Sequence, residues 1–253
     1  MRYIVWSIQN NAALPLPSMQ ELSYKIAPYI ERAGDEVAKY LPSPRTLNVH
    51  FPYEFTPYHS KARYIYVARD PRDTCVSFYH MTRESLGGSG YLNATFSEYF
   101  ELFITGNIPY GDYFDHLLAW YKHRDTNVLF LTYEEMLLDT KKAVLQVARF
   151  ISDSEHDYEK LLTANDCLLL DRITENTTFD NMKDMPVVIK NAAETSCGDA
   201  LLDAGVRVNF FRKGKAGDWI NYFNKDQVRR LHERMMKKVT GTGIERLWSF
   251  SES

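Results

Sequence analysis

Two short apolar runs, each passing straight into a helix signal, constrain the fold of this chain more than any other feature. The first is "ARYIYVARD" at 62–70, in which Tyr64, Ile65, Tyr66 and Val67 are all β-formers between charged flanks. It continues as "DPRDTCVSFYHMTRES", where Asp70 followed by Pro71 reads as a helix N-cap with proline at the first helical position. The second is "NVLFLTYEEML" at 127–137, a strand running into a helix. Continuous apolar runs of this kind suit strands buried on both faces. Strand, turn, helix and strand again predict an α/β chain, a parallel sheet flanked by helices. Ligands in such sheets bind beyond the carboxyl ends of the strands, which points to one rim carrying Arg69, His50 and Tyr133.

The remaining segments fit this plan. "FSEYFELFITG", "YFDHLLAWYKHR" and "KKAVLQVARFIS" read as helices, and "RTLNVHF" at 45–51 as a short strand. "SMQELSYKIAPYIERAGDEVAKYL" reads as helix in pieces, broken near Pro28. "YIVWSI" at 3–8 is open between strand and buried helix, because so short a run has no readable period. No repeat, low-complexity tract or Pro/Gly-rich linker divides the 253 residues, so 1–253 reads as a single domain.

A net charge of −3 argues against nucleic acid or an acidic membrane as the general partner, so any anion site is local. Cys75, Cys167 and Cys197 form neither a disulfide framework nor a zinc pattern, which suits a reducing compartment. Without a secretory or membrane-spanning signal the expectation is a cytoplasmic protein whose sequons at Asn93 and Asn176 are idle.

One stretch does announce an anion. "VNFFRKGKAGDWINYF" at 208–223 sets Arg212, Lys213 and Lys215 around Gly214 and Gly217, between aromatic pairs. Small residues among cations let a loop wrap a compact anion; the bland alternative is a solvated charged turn, which the aromatics disfavour. Arg69 ends one strand just before a helix N-terminus, where backbone N–H groups already favour an anion, and Ser77 on that helix adds a hydroxyl. Arg69 could equally pair with Asp70 or Asp73 as a structural salt bridge. His50, in "LNVHFPYEF", could take a proton from a substrate near neutral pH or be structural. Tyr133 and Phe179 could stack on a flat ring or fill core. There is no G-x-x-x-x-G-K-[ST] loop, zinc pair or G-x-S-x-G elbow, and "GGSG" at 87–90 lacks dinucleotide spacing, which leaves metal-free group transfer.

Taken together, "VHFPYEF", "YIYVARDPRDTCVSFYH", "IPYGDYFDHLLAWY", "VLFLTYEEM", "NTTFDNMK" and "FFRKGKAGDW" resemble the cytosolic sulfotransferase family in order and spacing. The resemblance implies a P-loop nucleotide-kinase-like α/β fold and the donor 3′-phosphoadenosine 5′-phosphosulfate (PAPS), with 3′,5′-adenosine bisphosphate (PAP) as product and no metal. By that likeness Arg69 and Ser77 hold the 3′-phosphate with Arg212, Lys213 and the Gly214 backbone. Tyr133, Thr177 and Phe179 line the adenine. His50 is the catalytic base for the hydroxyl or amine of a small acceptor, and His116 lines the acceptor pocket. Loops near 83–91 and 187–203, the second a lid, would set acceptor choice.

Three departures accompany the likeness. The family opens with a strand and a Tyr-Pro-Lys-Ser-Gly-Thr-Thr-Trp loop, whereas "MRYIVWSI" resembles the helix after that loop. The chain is thus expected to be truncated relative to the family, with 3–8 helical. Lost cationic contacts at the transferring group would cost on the order of 10²–10³-fold each in rate, so the alternative is an inactive nucleotide-binding relative. Asn48 stands where the family has a lysine before Thr-His. Ile220, Asn224, Lys225 and Arg229 occupy the positions of the family's dimer motif, which implies a monomer or an atypical dimer.

Overall fold

The first apolar run forms β1 (Tyr64–Ala68), whose end turns directly into a helix. In the computed structural model residues 1–85, 93–124, 126–183, 187–189, 206–208 and 211–250 are described. Before β1 lie α1 (Arg2–Gln9), α2 (Met19–Glu21), which continues as a π-helical turn over Leu22–Ile26, and α3 (Ile30–Ala33). After it come α4 (Pro71–Ser85), α5 (Phe96–Thr105), α6 (Tyr113–Tyr121) and β2 (Val128–Thr132). Helices α7 (Tyr133–Leu138), α8 (Thr140–Ile151), α9 (Tyr158–Thr163), α10 (Leu168–Asn176) and α11 (Phe179–Met182) follow. The short strands β3 (Val187–Ile189) and β4 (Val206–Val208) pair antiparallel, and α12 (Lys225–Val239) comes last.

The chain divides into two compact units: 1–50 with 144–214, and 51–143 with 215–253. In the second unit β1 and β2 pair in parallel, from Tyr64 opposite Val128 to Ala68 opposite Thr132. Each strand hands over to its helix through a cap. Asp70 accepts the Arg72 N–H at 2.8 Å with Pro71 at the first helical position, and Thr132 and Glu135 form a reciprocal capping box. Helix α5 opens on a Thr95–Glu98 box and stops at Gly106, whose φ of 77° is the left-handed conformation a helix end favours. Asp112 caps α6 through the Phe114 and Asp115 N–H groups. Tyr99, Phe100 and Phe103 of α5 meet Phe114 and Leu117 of α6 and the Leu231, Met235 and Val239 stripe of α12 in one core. That i, i+4, i+8 spacing is one helix face.

The first unit has its own core of Tyr3, Met19, Leu22 and Ala27, with Trp6, Leu16, Met182 and Phe211 against it. Leu162 of α9 and Leu170 and Ile173 of α10 are also buried there.

Two expectations need correction. Residues 45–51 form no strand: a single parallel bridge joins Tyr29 to Asn48, with Pro28 and Pro44 limiting the pairing on either side. The β1 run is half-buried over Tyr64–Val67 rather than enclosed on both faces. Conversely, residues 3–8 are helical, as the family register implies. The expected "GGSG" loop, most of the 83–91 loop, the lid expected over 187–203 beyond residue 189, and Phe210 lie outside the described residues.

Candidate functional site

Parallel pairing sets Ala68 opposite Thr132, so the residues that follow, Arg69 and Tyr133, emerge side by side. The Arg69 guanidinium lies 4.7 Å from the Tyr133 ring centroid. Its Nη2 donates to the Lys215 carbonyl at 3.1 Å and sits 3.8 Å from the Asp73 carboxylate. The structural alternative is therefore partly realised, through Asp73, while Asp70 is taken by Arg72. Arg69 is nevertheless not consumed: its Nε is buried without a hydrogen-bond partner. A buried, unsatisfied guanidinium donor is costly unless an acceptor arrives. Burial pushes the Tyr133 phenol up despite the neighbouring Arg69, so the ring stays neutral at physiological pH. Ser77 is half-buried on α4, four residues beyond Asp73 and on the same helix face.

Asp73, named in the sequence only as an ion partner of Arg69, and three residues missed there hold this corner in place. Asp73 is 1% exposed and accepts the N–H groups of Gly217, at 2.6 Å, and Trp219, at 3.0 Å, tying the glycine-rich loop to α4. Glu134 accepts the Asp70 N–H at 3.0 Å and the Trp248 indole N–H at 2.8 Å, bracing both strand ends. The buried Tyr113 hydroxyl donates to the Arg69 carbonyl. Arg72 spans Asp70, the Ser249 carbonyl and two aromatic rings. Apart from the Arg72–Asp70 pair, these contacts have no local sequence signal, because they join segments distant in the chain.

Within the first unit, Arg212 is half-buried, Lys213 exposed, and Gly214 turns at φ +64° beneath the Phe179 ring. Thr177 caps the end of α10, its hydroxyl donating back to the Ile173 carbonyl at 2.8 Å. Beside it the Asn176 side-chain nitrogen is buried without a hydrogen-bond partner. Phe179 opens α11, so the sequence brings Thr177, Phe179 and Gly214 into one neighbourhood.

His50, expected at a strand end, terminates no strand. Its Nδ1 lies 3.3 Å from a Glu31 carboxylate oxygen, and its ring stacks on Tyr29 with centroids 5.1 Å apart. Asn48, in the position of the family lysine, turns its side chain back to donate to the Ala27 carbonyl at 2.7 Å. In the second unit His116 is half-buried and shares a 3.0 Å hydrogen bond with the Tyr66 hydroxyl. Tyr66 in turn stacks on Trp120 and Phe130. Burial holds the Tyr66 phenol well above its ordinary value, so it stays protonated beside the imidazole. Among the described residues no cluster of three or more His, Cys, Asp or Glu side chains is placed to hold a metal ion. No helix among them is long and apolar enough to cross a membrane.

A parallel strand pair with an arginine, an aromatic ring and a braced glycine-rich loop at its carboxyl end defines an α/β protein. The sulfotransferase domain family model matches residues 1–243, and the chain belongs to that family. It is 36% identical over 231 residues to sulfotransferase 1B1 of Mus musculus, covering 90% of this chain and 71% of that protein. To sulfotransferase 1C2 of Homo sapiens it is 34% identical over 229 residues, covering 86% and 71%. Mouse sulfotransferase SULT7A1, solved in complex with PAP, superposes with a TM-score of 0.65 at 27% identity, covering 96% of this chain and 81% of that one. Retinol dehydratase in complex with androsterone and PAP, at 22% identity and a TM-score of 0.68, shares the fold, covering 96% and 77%.

Proposed function

We propose that the chain transfers a sulfuryl group from PAPS to the hydroxyl or amine of a small acceptor, acting as one sulfotransferase domain over 1–253. The observation that carries this reading is Arg69: a guanidinium stacked on Tyr133 with a buried donor still unsatisfied. In this reading Arg69, Ser77, Arg212, Lys213 and the Gly214 backbone are the contacts of the 3′-phosphate. Tyr133, Thr177 and Phe179 supply adenine contacts, with rings for stacking and a threonine at a helix end.

In the transfer, the acceptor oxygen or nitrogen forms a bond to sulfur as the bond from sulfur to the bridging phosphate oxygen breaks, and PAP leaves. His50 takes the acceptor proton, and His116, with Tyr66 behind it, lines the acceptor side. Positioning and charge stabilisation dominate such a reaction. The Asn48 side chain, turned to the Ala27 carbonyl, favours a second reading: a nucleotide-binding relative with little turnover. The proposed assembly is a monomer or an atypical dimer. Of the dimer-motif positions, Asn224 is spent capping α12 and Arg229 pairs with Asp226 and Glu233.

Titration with PAP, with 5′-AMP as control, on wild type and Arg212→Ala tests the site, and transfer of labelled sulfate from PAPS tests turnover. Binding that needs both the 3′-phosphate and Arg212, with label transfer, is the expected result. Binding without transfer selects the second reading, and equal affinity for PAP and AMP overturns the 3′-phosphate assignment.

A further inference from the structure

His50 is not held by its own segment alone. The strip that carries it is stitched to the strip that carries Glu31. The Ile30 N–H donates to the Asn48 carbonyl and the Asn48 N–H to the Pro28 carbonyl, both at 2.9 Å, around the Tyr29–Asn48 bridge. This brings the Glu31 side chain, on α3, to the end of the Asn48 strip. One of its carboxylate oxygens, Oε1, accepts the His50 backbone N–H and lies 3.3 Å from Nδ1 of the same residue. The Glu31 side chain is 14% exposed and that of His50 47%, so the carboxylate is the sheltered partner and the ring the accessible one. The other oxygen, Oε2, is buried with no hydrogen-bond partner, so no competing donor draws the carboxylate off the ring.

We infer that Glu31 is the positioning carboxylate of His50: it holds the neutral ring in the Nδ1–H form and leaves Nε2 as the basic nitrogen. The inference rests on the reading of His50 as the base. A neutral imidazole has one donor and one acceptor nitrogen, and a carboxylate at one of them decides which is which. The same negative charge stabilises the imidazolium formed when the proton arrives, as the carboxylate of a Ser-His-Asp triad does without being protonated itself.

Aromatic and cationic groups also lie nearby. Tyr29 stacks on the His50 ring, and the Arg2 and Arg32 guanidiniums lie 5.0 and 5.8 Å from the centre of the Tyr29 ring, not on the imidazole. Burial pushes the Glu31 carboxyl up, but hydrogen bonds from the His50 ring and backbone outweigh it, so the group ends below its ordinary value. Glu31 is thus ionised throughout the range in which a histidine titrates.

Long-range ¹H–¹⁵N correlation spectra of histidine-labelled protein test this, with His50→Asn assigning the signal. The expected wild-type result is the Nδ1–H tautomer for neutral His50. Glu31→Ala should shift the population toward Nε2–H and reduce kcat by roughly 10- to 100-fold with little change in KM, less than the ~10²–10⁴-fold that loss of the base itself would cost. Glu31→Gln keeps an acceptor for the backbone N–H, so it tests the charge even if the alanine variant fails to fold; its kcat should also fall, with KM little changed. A wild-type Nε2–H tautomer, or kcat unchanged in both variants, overturns the inference. Wild-type turnover in His50→Asn would overturn the base reading instead, and the tautomer readout does not depend on it.

Discussion

The Phe179 ring lies so close against Gly214 that a Cβ at residue 214 would fall 2.2 Å from Cδ2 and 2.3 Å from Cγ of Phe179. With φ at +64°, Gly214 also holds a conformation that costs an L-residue about 1–2 kcal/mol. Gly214→Ala is therefore expected to push the ring aside and to weaken PAP binding by about 10-fold or more. Phe179→Leu combined with it should recover part of the loss, so the two effects should not add. A double-mutant cycle read by nucleotide titration checks this, and additive losses would mean the contact does not shape the site.

Within the second unit Asp73 anchors the loop from Lys215 to Trp219. Its buried carboxylate accepts two backbone N–H groups, and an asparagine in its place would point an NH₂ at one of them. Asp73→Asn should cost about 1–3 kcal/mol in urea unfolding. PAP affinity should fall with it, because the loop from Lys215 to Trp219 loses its anchor and Arg69 its counter-charge. Unchanged affinity in a destabilised variant would confine Asp73 to a structural role.

Arg72 is sandwiched between Trp219 and Phe250, each ring centroid 4.1 Å from its guanidinium carbon, while Nη2 reaches Asp70 at 2.5 Å and the Ser249 carbonyl at 2.8 Å. Arg72→Ala should cost about 3–5 kcal/mol by stranding the buried Asp70 charge. Asp70→Asn added to Arg72→Ala should restore part of it, measured by chemical denaturation. A double variant no more stable than the single one would show that ring stacking, not the charge pair, supplies the stability.

Alkaline pH should loosen the first unit through Tyr3. Burial raises its phenol from an ordinary value of 10.0 to about 12, and its hydroxyl donates to the Pro17 carbonyl at 3.0 Å. Because the folded value is the higher one, the contribution is complete below pH 10 and is lost as pH rises toward about 12. The Tm advantage of wild type over Tyr3→Phe should therefore shrink between about pH 10 and about pH 12. A constant gap would mean Tyr3 does not ionise differently in the folded and unfolded chain.

Local chemistry in the sequence revealed what lies within one element or at its cap: β1 into Asp70-Pro71, β2 into Thr132, and the helices of the second unit. It also placed Arg69 beside Tyr133, because two parallel strands of equal length end together. The 45–51 run reads as a strand because Leu47, Val49 and Phe51 alternate, yet prolines restrict its partner to one bridge. The helix at 3–8 needed the family register, since a six-residue apolar run has no period of its own. Glu31, Asp73 and Glu134 were not legible as site residues. Their partners His50, Gly217 and Asp70 lie elsewhere in the chain, and an acidic residue in a polar stretch looks like any solvated one.

The parallel pairing of β1 with β2 also sets a timetable. Each rung joins residues roughly sixty positions apart, with α4, α5 and α6 in between, so the ladder gains nothing until that long excursion is closed. The capped helices and their shared aromatic core can form from nearer contacts first. The rungs, and the corner where Arg69 meets Tyr133, belong to the last part of folding. A substitution at the strand ends should therefore speed unfolding more than it slows folding.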